Sequence, residues 1–217
     1  MGLIMMSLAT DPRRPARWLE SHRVLAATIG SMTLIVANPV SAHTGTGLAG
    51  GLVSGLEHPL TGADHLLAMV AVGVWGAFLG RPLVFALPII FPVVMVCGAV
   101  LGMIGVSLPP VEIGIALSVM ILGICIALPL SAPIPIASAI VAIFAIFHGY
   151  AHGRELPSAA DPIGYSAGFV LATGLLHVLG IGIGLLSNLP VGMTAIRGLG
   201  GAIAAAGVWF FCKAIGS

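Results

Sequence analysis

Two short stretches of the sequence concentrate imidazole and carboxylate side chains in a chain that is otherwise poor in ionisable groups. The first is His58-Pro-Leu-Thr-Gly-Ala-Asp-His65, and the second is Phe147-His-Gly-Tyr-Ala-His-Gly-Arg-Glu155. Asp, Glu, Lys and Arg together make up only 7% of the chain. Imidazole and carboxylate groups are ligands that suit divalent nickel, cobalt and zinc. The two stretches are therefore candidates for a metal site.

The spacing within the second stretch favours a shared site. His148, His152 and Glu155 stand at positions i, i+4 and i+7, which lie on one face of a continuous helix. Two imidazoles four residues apart on a helix can both reach a single ion. Glycines within the stretch, and a proline shortly after it, are residues that can end a helix, so that alternative stays open.

The first stretch is less regular. A proline and a glycine lie between His58 and the pair Asp64 and His65, so their spacing does not guarantee a shared helical face. A broken turn at membrane depth is tolerated mainly where it lines a cavity. Thr61-Gly-Ala-Asp64 also fits a capping box, in which Thr61 would cap the helix that follows. Capping and metal binding are compatible roles for Asp64. Glu112, at another predicted helix start, is interpreted as a capping residue.

The composition indicates that these residues belong to a membrane protein. Hydrophobic residues make up 59% of the 217 positions. Six apolar stretches approach the roughly 20 residues that cross the hydrocarbon core of a bilayer. They are 66–79, 83–108, 113–130, 134–147, 163–186 and 199–212. The sequence predicts an all-α bundle of about six transmembrane helices, with a short re-entrant or interfacial element at 45–56 before the first.

Residues 1–42 have the layout of a secretory signal peptide. Four arginines precede an apolar run at 24–36, and Val40-Ser41-Ala42 is a small-residue cleavage site. An uncleaved signal anchor is the alternative. Cleavage would leave one domain, 43–217, with a periplasmic N-terminus in the bacterial inner membrane. His43 would then begin the mature chain, where its amine and imidazole could together chelate a metal.

In this topology the candidate ligands converge on the outer half of one bundle. The first histidine stretch enters the span at 66–79 from outside, and the second leaves the span at 134–147 toward the same side. His177, in the span at 163–186, lies near the middle of the membrane. An Asp at the centre of a transmembrane helix costs about 3 kcal/mol, so ionisable groups kept at such positions are candidates for function.

Several other classes of function are disfavoured. Eight Lys and Arg residues and a net charge of +1 do not provide a nucleic-acid surface. No GxxxxGK nucleotide loop occurs. An intramembrane zinc-dependent hydrolase, with Asp64 or Glu155 acting on a metal-bound water, remains an alternative. The second stretch lacks the Glu that follows the first His of HExxH proteases, so we predict no enzymatic activity. A non-transporting accessory subunit is a second alternative.

The two histidine stretches, with the segment 168–184 around His177, resemble the HupE/UreJ family of membrane proteins, which is associated with hydrogenase and urease gene clusters. The resemblance extends over 43–215. It implies a nickel permease or facilitator, in some members a cobalt one, with a cleavable signal and six spans. The transport residues that it implies are His58, Asp64, His65, His148, His152 and Glu155.

The expected partners are therefore a divalent metal ion and the lipid bilayer. Nickel is the expected substrate, and cobalt or zinc would fit the same ligand types. No cofactor is expected, since the ion is cargo. Acid should weaken binding near the ordinary imidazole pKa of about 6.5, because only the neutral ring binds a metal. The sequence leaves homo-oligomerisation open.

Overall fold

A computed structural model of the protein describes residues 47–108, 110–155 and 161–216. The predicted signal peptide at 1–42 lies outside the described residues. The described residues form seven α-helices and no strand, which confirms the all-α prediction. In chain order these are α1 (Gly47–Thr61), α2 (Ala63–Leu79), α3 (Leu83–Met103), α4 (Val111–Ala127), α5 (Ile134–Glu155), α6 (Pro162–Leu185) and α7 (Gly192–Gly216), and a short 3-10 helix, Leu186–Asn188, follows α6.

The helix lengths are those of a multi-pass membrane protein. In the described ranges, α3, α5, α6 and α7 are each long and apolar enough to cross a bilayer. The pair α1 and α2 passes the same test together, with a bend of 84° between its two halves. Helix α4 has 17 residues, about 25 Å of helix against a hydrocarbon core of about 30 Å. The six predicted spans thus correspond to four full helices, one bent pair and the shorter α4.

Three helices differ in extent from the apolar stretches of the sequence. Helix α5 continues past Phe147 to Glu155, α7 begins at Gly192 rather than near 199, and α3 ends at Met103 rather than near 108. Helical hydrogen bonding does not depend on side-chain polarity, so α5 and α7 extend beyond their apolar runs. Helix α3 instead ends inside its run, shortly before Gly105, whose φ of 73° is not helical.

Glycines in α5 serve close helix contact instead of ending the helix. A Cβ atom at Gly149 would collide with the carbonyl oxygen of Met95, and one at Gly153 with that of Ala99, both in α3. Helix association in membranes relies on small residues of this kind, because they allow backbones to approach. The uninterrupted helix places His148 and His152 one turn apart, beside α3.

Both halves of the bent pair, α1 and α2, pack against α6. Gly55 of α1 contacts the backbone of Tyr165, and Gly73 of α2 contacts the backbone of His177, further along α6. Helix α1 therefore lies along the first half of α6 and α2 along the second. Helix α2 is also the centre of the bundle, since its residues from Ala68 to Gly76 are all buried. The bend itself is partly exposed at Thr61 and Ala63.

Candidate metal centre

The first histidine stretch forms the break between α1 and α2. Gly62 has extended backbone angles, φ −93° and ψ 109°, and turns the chain from one helix into the next. The predicted capping box is wrong, because the N-cap is Gly62 and no side chain caps α2. Thr61 instead ends α1, where its hydroxyl donates to the carbonyl oxygen of His58 at 2.8 Å. Carbonyl groups in the last turn of a helix lack helical donors, which explains why the Thr61 hydroxyl bonds to this one.

Asp64 orients the imidazole of His65. Its Oδ1 atom accepts the backbone N–H of His65 at 2.8 Å and lies 2.8 Å from Nδ1 of the same residue. The start of a helix favours a carboxylate here, since it offers free N–H groups and a partial positive charge. A carboxylate accepts hydrogen bonds, so Nδ1 carries the hydrogen and Nε2 keeps its lone pair. The His65 side chain is 13% exposed.

A backbone carbonyl orients His148 in the same way. The Nδ1–H group of His148 donates to the carbonyl oxygen of Phe144 at 2.9 Å, one helical turn earlier. Because a carbonyl oxygen can only accept, the lone pair again lies on Nε2. The His148 side chain is fully buried in α5.

His152, the next residue on this face of α5, contacts the end of α1. Its Nδ1 atom lies 3.0 Å from Nε2 of His58, so one ring donates a hydrogen bond to the other. His152 is 5% exposed. The contact confirms that the two histidine stretches meet in space.

These four residues, His58, His65, His148 and His152, form what we term the histidine cluster. The ring centroids are 4.6 Å apart for His65 and His152 and 4.9 Å apart for His65 and His148. The Nε2 atoms of His65, His148 and His152 are buried, and none has a hydrogen-bond partner in the described part of the chain. A buried polar atom without a partner costs about 1–3 kcal/mol. Three such nitrogens side by side, with lone pairs on those of His65 and His148, therefore call for a ligand.

The side chains are not yet arranged as a coordination shell. Within 47–108, 110–155 and 161–216, no group of three or more His, Cys, Asp and Glu side chains could hold a metal ion as it stands. The rings of the cluster contact one another at their edges and faces. Binding one ion would require these rings to rotate so that their Nε2 atoms converge.

The structure does not bring His177 into the cluster. The ring of Phe91 lies between them, with its centroid 5.4 Å from that of His148 and 5.3 Å from that of His177. His177 is fully buried in α6. The carbonyl of Pro88 faces its ring, although without hydrogen-bond geometry. Pro92 has no N–H group, so this carbonyl lacks its usual helical donor.

Phe91 is a site residue that the sequence analysis missed. It lies in α3 between Pro88 and Pro92 and is fully buried. Two prolines within one apolar helix were the available signal, since each removes a backbone hydrogen bond. An aromatic residue in an apolar run gives no signal of its own.

Among the described residues, three cavities adjoin the cluster: an apolar one of about 400 Å³ that reaches His152, and two polar ones that share a wall. The smaller polar cavity, about 250 Å³, is lined by His58, Thr61, Gly62, Asp64, His65, Glu112 and Ala151. The larger, about 360 Å³, is lined by Ala63, Asp64, Glu112, Trp209, Phe210, Lys213 and Ala214. Asp64 and Glu112 line both. Glu112 is in the first turn of α4, where the capping interpretation places it. The sequence analysis did not predict that Glu112 also lies beside the cluster.

Two predicted ligands cannot be placed. His43 lies outside the described residues. Glu155 is the last residue of α5, and its side chain lies outside the described part of the structure. Of the eight predicted site residues, the structure thus gathers His58, Asp64, His65, His148 and His152, and it sets His177 apart behind Phe91.

Comparisons with known proteins agree on one family. A family model described as HupE / UreJ protein matches residues 31–210. Protein HupE of Rhizobium leguminosarum bv. viciae is 48% identical over 173 residues, which cover 79% of this chain and 91% of the relative. No solved structure matches the chain. The range matched by the family model contains both histidine stretches.

Proposed function

Because the chain belongs to the HupE/UreJ family, we propose that it is a membrane permease for a divalent transition-metal ion. Nickel is the substrate that we propose, with cobalt and zinc as competing ions of similar ligand preference. The observation that carries the proposal is the set of buried Nε2 atoms without hydrogen-bond partners on His65, His148 and His152. No hydrogen bond accounts for them in the described structure, and a metal ion would.

The ligand chemistry supports an ion of intermediate hardness. Neutral imidazoles with a nearby carboxylate suit divalent nickel, cobalt and zinc, whereas monovalent copper prefers thiolates and thioethers. No cysteine belongs to the cluster, and the cysteines of the described chain are Cys97, Cys125 and Cys212. Affinity follows the same metal order at most such sites, so ligand type does not select nickel. The choice of nickel comes from the family.

The proposed path begins at the cavities beside Asp64 and ends beyond Phe91. A hydrated ion exchanges water for the ring nitrogens of the cluster, and the rings rotate toward it. It then passes the Phe91 side chain and meets His177. Binding has to be firm enough to select the ion and weak enough to release it. Rings that contact one another without forming a finished shell are consistent with such transient binding.

We further propose that the cluster opens toward the periplasm of a bacterial inner membrane. This orientation follows from the predicted signal peptide, which would place the mature N-terminus outside. His43 would then be the first residue that an incoming ion meets. In this arrangement the N-terminal half of the bent pair lies nearest the periplasm.

The test is nickel uptake by the purified protein in sealed vesicles. We expect radiolabelled nickel to accumulate in vesicles that contain the wild-type protein, and we expect His65→Ala to abolish most of this uptake. Ser118→Ala is the matched control, because Ser118 is a buried polar residue of α4 that bonds only to its own helix, at Ile115. Uptake no faster than in protein-free vesicles would instead identify a non-transporting subunit.

A competition series identifies the ion. Unlabelled nickel, cobalt and zinc are added in turn to the same vesicles, and the concentration that halves uptake is measured. We expect nickel to compete at the lowest concentration. A lower value for cobalt or zinc would reassign the substrate and leave the histidine cluster as its site.

A further inference from the structure

The larger polar cavity beside the cluster contains a positive charge where a cation is expected to approach. We term this cavity the charged vestibule. It lies between the first turns of α2 and α4 and the last turns of α7, and three of its seven lining residues are charged: Asp64, Glu112 and Lys213. Its formal charge is therefore −1. Without Lys213 it would be −2.

The charged vestibule adjoins the histidine cluster. Asp64 and Glu112 line both this cavity and the smaller one, which also contains His58 and His65. An ion that passes from the vestibule to the cluster therefore stays in contact with the same two carboxylates. Lys213, on α7, lines the vestibule but not the smaller cavity.

Local contacts hold the Lys213 ammonium at the vestibule. Its Nζ atom is 5.8 Å from the centre of the Trp209 ring, one turn earlier in α7, at cation–π distance. The end of a helix also favours a positive charge. In the described part of the chain Asp64 pairs with His65, and Lys213 forms no ion pair with either carboxylate. Within the described residues, neither carboxylate of the vestibule neutralises its charge by direct contact.

We propose that Lys213 sets the affinity of this approach for divalent cations by repelling them. The inference rests on the proposed permease function and deepens it. Two carboxylates next to several imidazoles would retain a divalent ion, whereas transport requires release. A fixed ammonium opposes a divalent ion twice as strongly as a monovalent one. At a separation of about 8 Å in a water-filled cavity, this repulsion lowers the local ion concentration roughly 3- to 10-fold.

The test compares nickel uptake by wild-type and Lys213→Gln protein in sealed vesicles at low and high ionic strength. We expect Lys213→Gln to lower KM roughly 3- to 10-fold at low ionic strength. We also expect its KM to rise more steeply with salt, because a vestibule of charge −2 attracts cations more strongly and is screened more. Lys213→Arg keeps the charge and should retain the wild-type KM and salt dependence.

Two further variants separate charge from structure. Lys213→Met also removes the charge but keeps an unbranched apolar stem beside Trp209, so it should reproduce the KM of Lys213→Gln. Arg81→Gln makes the same charge change in the turn between α2 and α3, at the other end of α2 from Asp64, and should leave KM unchanged.

The outcomes distinguish this inference from the permease proposal. Absence of uptake by the wild-type protein overturns both. Uptake by the wild type, with the same KM and salt dependence in Lys213→Gln and Lys213→Met, overturns the role of Lys213 alone. An equal fall in KM for Arg81→Gln would assign the effect to the total charge of the protein and also overturn it.

Discussion

The Nε2 atom of His58 lies 3.0 Å from the Nδ1 atom of His152, although 94 positions separate the two residues. This contact joins the end of α1 to the last turns of α5. It also engages Nδ1 of the His152 ring, while the buried Nε2 has no hydrogen-bond partner in the described structure. A single side-chain pair therefore connects two helices and leaves Nε2 as the unengaged nitrogen of His152.

His152→Ala removes this contact together with one ligand of the cluster. We expect nickel uptake to fall about 10-fold or more, since loss of even an indirect partner of a metal ligand commonly costs 10- to 100-fold. Uptake is measured in sealed vesicles at equal protein content, with Ser118→Ala as the control. Wild-type uptake by His152→Ala would remove the cluster from the transport path.

Asp64→Asn preserves the shape of the side chain and removes its charge. We expect KM for nickel to rise roughly 10-fold or more, because the neutral amide no longer fixes the hydrogen on Nδ1 of His65. The measured quantity is the ratio of the KM of Asp64→Asn to that of the wild type at constant pH. Asp161→Asn is a suitable comparison: Asp161 caps α6 through the N–H groups of Ile163 and Gly164, away from the cluster. Equal KM values for Asp64→Asn and wild type would contradict the orienting role.

His177→Ala should distinguish the initial binding of nickel at the cluster from its later passage past Phe91. Phe91 lies between His177 and the cluster, so we expect the variant to keep the KM of the wild type and to lose most of its maximal rate. His148→Ala, on the cluster side of Phe91, should raise KM instead. Both values come from uptake measured over a range of nickel concentrations. A raised KM with an unchanged rate in His177→Ala would place His177 within the initial binding site.

Gly149→Ala should destabilise the protein, because the new Cβ atom would collide with the carbonyl oxygen of Met95 in α3. We expect the thermal midpoint in detergent to fall by several degrees and nickel uptake to fall with it, since α5 carries two residues of the cluster. Gly182→Ala is the matched control, because a Cβ atom there has open space around it. An Ala in a helix is favoured over Gly by about 1 kcal/mol, so this control should hold or raise the midpoint. Equal midpoints for the two variants would show that α3 and α5 do not need this close contact.

The sequence was sufficient to predict the all-α fold class and the helical spacing of the second histidine stretch. Long apolar runs leave few alternatives to membrane helices. The spacing of His148 and His152 depends only on the local helical repeat, and α5 confirms it. The resemblance to the HupE/UreJ family is likewise confirmed. Its implication for metal transport remains a proposal, as do the signal peptide and the choice of nickel.

The details that the sequence did not reveal depend on contacts between distant segments. The motif around Thr61 fits a cap of α2, and only the position of α1 shows that its hydroxyl bonds backward to His58 instead. Phe91 becomes a site residue because α3 packs beside His148 of α5 and His177 of α6, and Glu112 because the start of α4 lies beside the break. Neighbours of this kind are set by how helices pair, which a local pattern does not encode.

Because of the break at Gly62, the number of residues between His58 and His65 is as critical as their types. Both halves of the bent pair are aligned by α6, so the residues between His58 and His65 fill a fixed gap. Deleting one of them would turn α2 by about 100° about its axis and carry His65 away from its partners, with hydropathy unchanged. Insertions and deletions at this junction should therefore be as damaging as replacing a ligand.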